Sequence, residues 1–135
     1  MLQPSRSKHR KQFRGKMRGT ASRGNQLSFG DYGLKSLECS WVSDRQIEAS
    51  RVAISHYTKR SGKLWIRIFP DKPVTHKGQG VGMGAGKGDV SHFVSVVTPG
   101  RILFELAGVT KEVAIQALNR AAMKLPVKTR MITRD

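Results

Sequence analysis

The sequence predicts an α+β domain in which two helices pack on a mainly antiparallel β-sheet, with a basic extended N-terminal arm and a long glycine-rich loop. Three observations support this prediction. The 135 residues, 38% of them hydrophobic, suffice for one domain with a modest core. Two stretches with helical spacing of apolar residues each follow a capping residue. Around them, short stretches alternate apolar and polar side chains, as strands do.

The first 26 residues are predicted to form the arm, and residues 27–135 a single domain. No acidic residue occurs before Asp31. The first 24 residues carry half of the net charge of +16, on Arg6, Lys8, Arg10, Lys11, Arg14, Lys16, Arg18 and Arg23. Few apolar side chains interrupt these cations, so burial cannot offset the entropy of ordering the segment. We expect the arm to order on a polyanionic partner; a merely solubilising tail is the alternative.

From Leu27 onward the pattern is that of a folded domain. Residues 27–30 and 32–37 are two strand-like stretches broken by glycine. Ser43 and Gln46 form a capping-box signature, which predicts a helix from Ser43 to about Arg60. At helical spacing its buried stripe would be Ile47, Ser50, Ile54 and Tyr57. Its opposite, cationic face would carry Arg45, His56, Lys59 and Arg60.

The second half of the chain predicts further strands and a second helix. Residues 63–69 alternate as a strand that Pro70 and Pro73 end. Residues 76–88 form the glycine-rich loop, and residues 90–97 and 101–106 are predicted to pair as an antiparallel hairpin. Residues 127–133 read as a final strand. The second helix would run from a cap at Thr110 to about Leu125, with a buried stripe of Ala114, Ala117, Leu118, Ala121 and Leu125, and with Gln116, Arg120 and Lys124 facing outward.

The alternating glycines of the loop do not match two nucleotide-binding motifs. A phosphate-binding P-loop requires glycine where Val81 stands and Ser or Thr where Gly88 stands. A dinucleotide fingerprint requires a strand before it and a helix after it, whereas a strand follows here. We therefore interpret the segment as a flexible loop whose backbone N–H groups can approach phosphates closely. A loop without any role is the alternative.

No constellation for catalysis or metal binding is visible in the sequence. The four histidines lack Cys or acidic partners at metal-ligand spacing, and the nine acids are scattered singly. Cys39 has no neighbouring base, so we expect a small buried side chain rather than a nucleophile. The sequence thus predicts no enzyme, no cofactor and no metal. Its few aromatic residues favour a folded RNA, bound through phosphates and shape.

An anionic membrane is the rival partner of so basic a chain. No apolar run approaches the roughly 20 residues of a membrane span, and the N-terminus lacks the hydrophobic segment of a secretory signal. The arm has no apolar helical face with which to lie on a bilayer. The single cysteine suits a reducing compartment. We therefore expect no membrane partner.

Several motifs together resemble one protein family over essentially the whole chain. The most specific is Phe69-Pro-Asp-Lys-Pro73, followed ten residues later by Met83-Gly-x-Gly-Lys-Gly88. The others are Met1-Leu-Gln-Pro4 with the cations after it, Arg14-Gly15, Ser28-Phe29-Gly30, Arg45-Gln-Ile-Glu-Ala49, Gly62-Lys-Leu-Trp-Ile-Arg67 and Leu125-Pro-Val-Lys-Thr129. This series resembles the bacterial and organellar large-subunit ribosomal protein sixteen family.

The resemblance implies a structural protein of the large ribosomal subunit that binds rRNA near the peptidyl transferase centre and is not a catalyst. It implies contact with A-site tRNA, P-site tRNA being left open, and with neighbouring ribosomal proteins, without homo-oligomers. The location would be the ribosome of the cytoplasm, an organellar ribosome being left open. Expected rRNA-binding residues are the eight arm cations with Lys72 and Lys128. Residues expected to face tRNA or rRNA are Arg45, Arg51, His56, Lys59, Arg60, Lys77, Met83, Gly84 and Lys87.

One position departs from the family pattern. Many members have an arginine immediately before the loop methionine, and Gly82 stands there in this chain. Two other functions stay open from the sequence. An extra-ribosomal RNA-binding regulatory module would fail to co-sediment with large subunits. A nucleotide-dependent enzyme using the glycine loop would bind ATP or NAD specifically.

Overall fold

Two antiparallel sheets and two helices form the domain. The computed structural model describes residues 1–134; Asp135, the last residue of the predicted domain, lies outside the described residues. The elements are β1 (Tyr32–Ser36), β2 (Ser40–Ser43), α1 (Asp44–Thr58), β3 (Lys63–Ile66), β4 (Lys72–His76), β5 (Asp89–Val97), β6 (Ile102–Ala107), α2 (Lys111–Ala122) and β7 (Thr129–Thr133). Sheet A has the strand order β3-β6-β1-β7, and sheet B the order β2-β5-β4. The recorded pairings are antiparallel, which confirms the predicted α+β class.

The predicted hairpin is wrong, and the strands form two sheets rather than one. Both hairpin strands exist, but β5 pairs with β2 and β4, whereas β6 pairs with β1 and β3. Residues 102–106 are all buried, which is the pattern of a central strand covered on both faces. Such a strand needs neighbours on both sides, and here they come from distant segments. The turn at residues 98–100 therefore carries the chain from one sheet to the other.

Both predicted helix starts are confirmed. The Ser43 hydroxyl accepts a hydrogen bond from the Gln46 backbone N–H at 3.2 Å, and the Gln46 side-chain oxygen accepts one from the Ser43 N–H at 2.9 Å. The Thr110 hydroxyl accepts from the Val113 N–H at 3.4 Å. These caps satisfy backbone donors that a helix start would otherwise leave without partners.

Both helices end earlier than predicted. α1 ends at Thr58 because Lys59 and Arg60 adopt φ angles of 54° and 63°, in the left-handed region. α2 ends at Ala122, and Leu125 packs on the core from beyond the helix. Neither helix of residues 1–134 has the length and apolar character that crossing a membrane requires.

Several short segments also differ from the prediction. β2 and β4 were not predicted as strands; β4 contains Pro73, which is tolerated because β4 lies at the edge of sheet B. Residues 27–30 form no strand, and the strand predicted over residues 63–69 ends at Ile66. Cys39, expected to be buried, is exposed in the connection between β1 and β2. Alternation alone cannot identify strands this short.

The two faces of sheet A are covered by different parts of the chain. Leu34, Phe104 and Ile66 lie opposite one another in register and join the core that the helices cover. The helical stripes pack there as predicted, except that Tyr57 is only partly buried. On the other face the side chain of Leu27 lies where a Cβ at Gly33 would stand, so this position requires glycine.

Candidate nucleic-acid interface

A buried carboxylate fixes the segment that joins the arm to the domain. Glu105, on β6, has no exposed surface. It accepts hydrogen bonds from the backbone N–H groups of Ser28, Phe29 and Gly30 at 3.0, 2.9 and 2.9 Å, and it forms a salt bridge with Arg67. Burial raises the pKa of Glu105, but these donors together outweigh it and hold the pKa below its ordinary value. Residues 28–30 are thereby held on the outer face of sheet A.

The preceding part of the arm is attached through its backbone. The Ile102 N–H donates to the Gly24 carbonyl oxygen at 2.8 Å, and the Ala21 N–H donates to the Pro99 carbonyl oxygen at 2.8 Å. The Arg101 guanidinium donates to the Arg23 carbonyl oxygen at 3.3 Å. These bonds occupy backbone groups and leave the arm's own cationic side chains outside.

Further toward the N-terminus, the arm crosses sheet B and meets the glycine loop. The ammonium of Lys72, on β4, donates to the Arg14 carbonyl oxygen at 2.6 Å. Lys11 donates to the Lys87 carbonyl oxygen at 3.2 Å, and Lys87 donates in return to the Gln12 carbonyl oxygen. Two of the cationic elements predicted from the sequence thus lie against each other.

The residues expected to bind rRNA lie on the surface with their charge uncompensated. Eight of the ten are exposed, and Lys11 and Lys72 are half-buried. The two salt bridges within residues 1–134 are Arg51–Glu48 and Arg67–Glu105, so none of the ten pairs with a carboxylate. A field of this kind attracts polyanions and raises their local concentration.

The cationic face predicted for α1 is present but not uniform. Arg45, His56, Lys59 and Arg60 are exposed. Arg51, in contrast, donates two hydrogen bonds to Glu48 one turn earlier, and this bonding lowers the pKa of Glu48. Arg51 is therefore a weaker candidate for phosphate contact than its neighbours on the helix.

Helix packing adds two cations to this face that the sequence did not indicate. The Arg120 guanidinium of α2 lies 4.7 Å from the ring centroid of Tyr57 on α1. A groove of about 460 Å³ separates the helices, lined by Ala53, His56, Tyr57, Lys59, Arg120, Met123 and Lys124. Helical spacing predicted that Arg120 and Lys124 face outward, but only the packing of α2 on α1 brings them beside His56 and Lys59.

The glycine loop presents its tip to solvent. The ammonium of Lys77 turns inward and donates to the carbonyl oxygens of Gly82, at 3.3 Å, and of Gly84. Met83, between them, is 99% exposed. Lys77 therefore organises the loop, while the Met83 side chain is free to contact a partner.

The described residues offer no evident site for a metal ion. Across residues 1–134, no three His, Cys, Asp or Glu side chains lie close enough to hold one. What the surface offers instead is a set of cations, exposed backbone and a few aromatic rings. Its chemistry is the neutralisation of anionic charge.

Comparison with known proteins finds similarity over nearly the whole chain. A family model described as ribosomal protein L16p/L10e matches residues 4–132. The large ribosomal subunit protein uL16 of Fusobacterium nucleatum is 59% identical over 135 residues, which cover 100% of this chain and 94% of that protein. The protein of the same description from Porphyromonas gingivalis is 56% identical over 134 residues, covering 99% and 93%. The similarity includes the arm, the loop and both helices.

Proposed function

Because the chain belongs to the ribosomal protein L16p/L10e family, and is thus a structural component of the large ribosomal subunit and not an enzyme, we propose that it binds large-subunit rRNA through its arm and glycine loop. The observation that carries this proposal is the course of the arm. Its eight cations form no salt bridge within the described chain, and its backbone lies against the loop. The two elements together present one cationic surface.

The mechanism is electrostatic and geometric. Each arm or loop cation that reaches a phosphate releases condensed counterions, and this entropy supplies sequence-independent affinity. Specific placement comes from the folded domain, since phosphate contacts fix register and orientation without reading bases. The protein thereby stabilises a local rRNA fold, beside neighbouring ribosomal proteins and in the ribosome of the cytoplasm.

We further propose that the cationic face of α1 and the loop tip contact A-site tRNA near the peptidyl transferase centre, with P-site tRNA as an open alternative. The support is exposure without compensation. Arg45, Lys59 and Arg60 are exposed and form no salt bridge within residues 1–134, and Met83 and Gly84 lie exposed in the loop. A tRNA backbone is the kind of polyanion that such a surface attracts.

The rRNA proposal predicts stable incorporation into large subunits. Full-length protein mixed with subunits lacking it should sediment with them through a sucrose gradient at about 0.2 M salt, where non-specific electrostatic binding is already weakened. The fraction in the subunit peak is the measurement, with a chain lacking residues 1–26 as the matched variant. Full-length protein left at the top of the gradient would contradict the proposal and favour a role outside the ribosome.

The tRNA proposal predicts a separable effect on the α1 face. Replacing Arg45, Lys59 and Arg60 with glutamine should leave sedimentation with the subunit unchanged. It should reduce the salt dependence of A-site tRNA binding by up to about three slope units, one for each lost phosphate contact. Lys111→Gln, an exposed lysine at the start of α2, is the control. Unchanged tRNA binding in the triple variant would refute this contact.

A further inference from the structure

One face of sheet B places an aromatic ring beside a lysine beneath the arm. Trp41, on β2, pairs with Val96 of β5, and Lys72, on β4, pairs with Val94 of the same strand. Val94 and Val96 are two residues apart, so their side chains and those of their partners share one face. The Lys72 ammonium lies 5.5 Å from the Trp41 ring centroid. The sheet thus combines a stacking surface with a cation.

The arm turns this face into a cleft. Lys72 holds the Arg14 carbonyl oxygen at 2.6 Å, which draws the arm across the sheet. A cleft of about 510 Å³ lies between them, lined by Gln12, Arg14, Met17, Trp41, Lys72, Pro73, Val74, Thr75 and Lys87. Its volume falls within the range of small-ligand sites.

The lining has the chemistry of a nucleotide site. No acidic residue lines the cleft, while Arg14, Lys72 and Lys87 contribute three cations. Trp41 and Met17 supply an aromatic and a polarisable apolar surface. The Trp41 indole N–H is buried and has no acceptor among the described residues, which is uncommon for a buried donor. An occupant that carries both an acceptor and a negative charge would match these groups.

We propose that this cleft receives one unpaired nucleotide of the bound RNA, with its base against Trp41 and its phosphate among the three cations. This inference rests on the proposed rRNA function and adds that the RNA must offer a bulged or looped-out nucleotide. A paired base is stacked inside its helix and cannot reach the ring, whereas an unpaired one can stack on an aromatic side chain. Lys72 has three N–H donors, so it can bind a phosphate without releasing the Arg14 carbonyl oxygen.

Tryptophan fluorescence tests the proposal, because the chain has two tryptophans. Trp65→Phe leaves Trp41 as the reporter in the full-length protein. The probes are three RNA hairpins of identical stem: one with a single bulged uridine, one with an abasic residue in the bulge, and one without a bulge. The bulged-uridine hairpin should quench Trp41 emission and bind on the order of tenfold more tightly than the other two. Equal affinity and equal emission with the three hairpins would overturn the proposal.

Two further variants separate stacking from folding and from charge. Trp41→Phe retains an aromatic ring and should keep most of the preference for the bulged uridine, whereas Trp41→Leu should abolish it; circular dichroism confirms that each variant is folded. In Trp41→Phe the remaining reporter, Trp65, stacks on Phe29 at 5.9 Å on the other sheet. Its emission should not respond to the bulge. A response of Trp65 instead of Trp41 would place the nucleotide elsewhere and overturn the proposal.

Failure of the cleft and failure of the rRNA function give different results. If the hairpins bind with a steep salt dependence but Trp41 emission and the three affinities stay equal, the cleft proposal alone fails. If the full chain also does not sediment with large subunits, the rRNA proposal fails with it.

Discussion

Replacing Glu105 with glutamine is expected to lower the free energy of unfolding by about 3 kcal/mol, the range found when one partner of a buried ion pair is removed. The glutamine oxygen can still accept from some of the N–H groups of residues 28–30. Its amide nitrogen, however, would face the Arg67 guanidinium, donor against donor, and leave that charge without a carboxylate. Chemical unfolding followed by circular dichroism measures the change.

The same variant should also alter the response to acid. The pKa of Glu105 is lower in the folded protein than its ordinary value of 4.5, so the folded state favours the ionised form. This stabilisation is fully present above pH 4.5 and is lost as the pH falls below it toward the lowered folded pKa. Wild type should therefore lose stability in that window, and Glu105→Gln should lack this component of the loss.

The control for Glu105 is another carboxylate in a different environment. Asp71 is exposed, and no hydrogen bond to its side chain is recorded within residues 1–134. Asp71→Asn should change the free energy of unfolding by no more than about 0.5 kcal/mol. If Glu105→Gln were as mild as this control, the carboxylate could not be what holds residues 28–30 on sheet A.

Removing three arm cations is expected to have the largest effect on RNA binding. Replacing Arg10, Lys11 and Arg14 with alanine should reduce the slope of log affinity against log salt by about three units if each contacts one phosphate. A fourfold rise in salt would then weaken rRNA binding about 40-fold less than in wild type. Binding to large-subunit rRNA at several salt concentrations measures this difference directly.

A charge-matched variant distinguishes contacts from net charge. Replacing Lys63, Lys111 and Arg134 with alanine removes three exposed cations outside the arm, the loop and the α1 face. This triple variant should retain most of the wild-type slope, and both variants should unfold at similar denaturant concentrations because none of the six side chains is part of the buried core. Equal slopes in the two variants would mean that only overall charge, and not the arm, determines the affinity.

Local chemistry made much of this molecule predictable. The starts of α1 and α2 follow from caps only three residues long, in which Ser43 or Thr110 meets a nearby backbone N–H. The buried stripes of both helices follow from a period that is independent of the rest of the chain. The family could also be recognised from motifs such as Phe69–Pro73, because they keep their spacing in the sequence.

Errors arose where distant segments compete for the same backbone groups. Residues 90–97 and 101–106 are strands as expected, but their partners were misassigned because β6 gains more by lying centrally in sheet A than by pairing with its neighbour in sequence. Residues 27–30 alternate like a strand, yet the N–H groups of residues 28–30 bind Glu105, 75 to 77 positions away. No local pattern contains such information.

The basic arm, the loop and the cationic face of α1 were therefore determined by the sequence itself, because charge, glycine content and helical period are local properties. Their arrangement was decided by the tertiary structure. Only folding brings Lys87 to the arm and Arg120 to Tyr57, and only the register of sheet B places Trp41 beside Lys72. Contacts between residues far apart in the chain depend on which pairings bury the most surface and satisfy the most hydrogen bonds, and that choice is made by the whole domain at once.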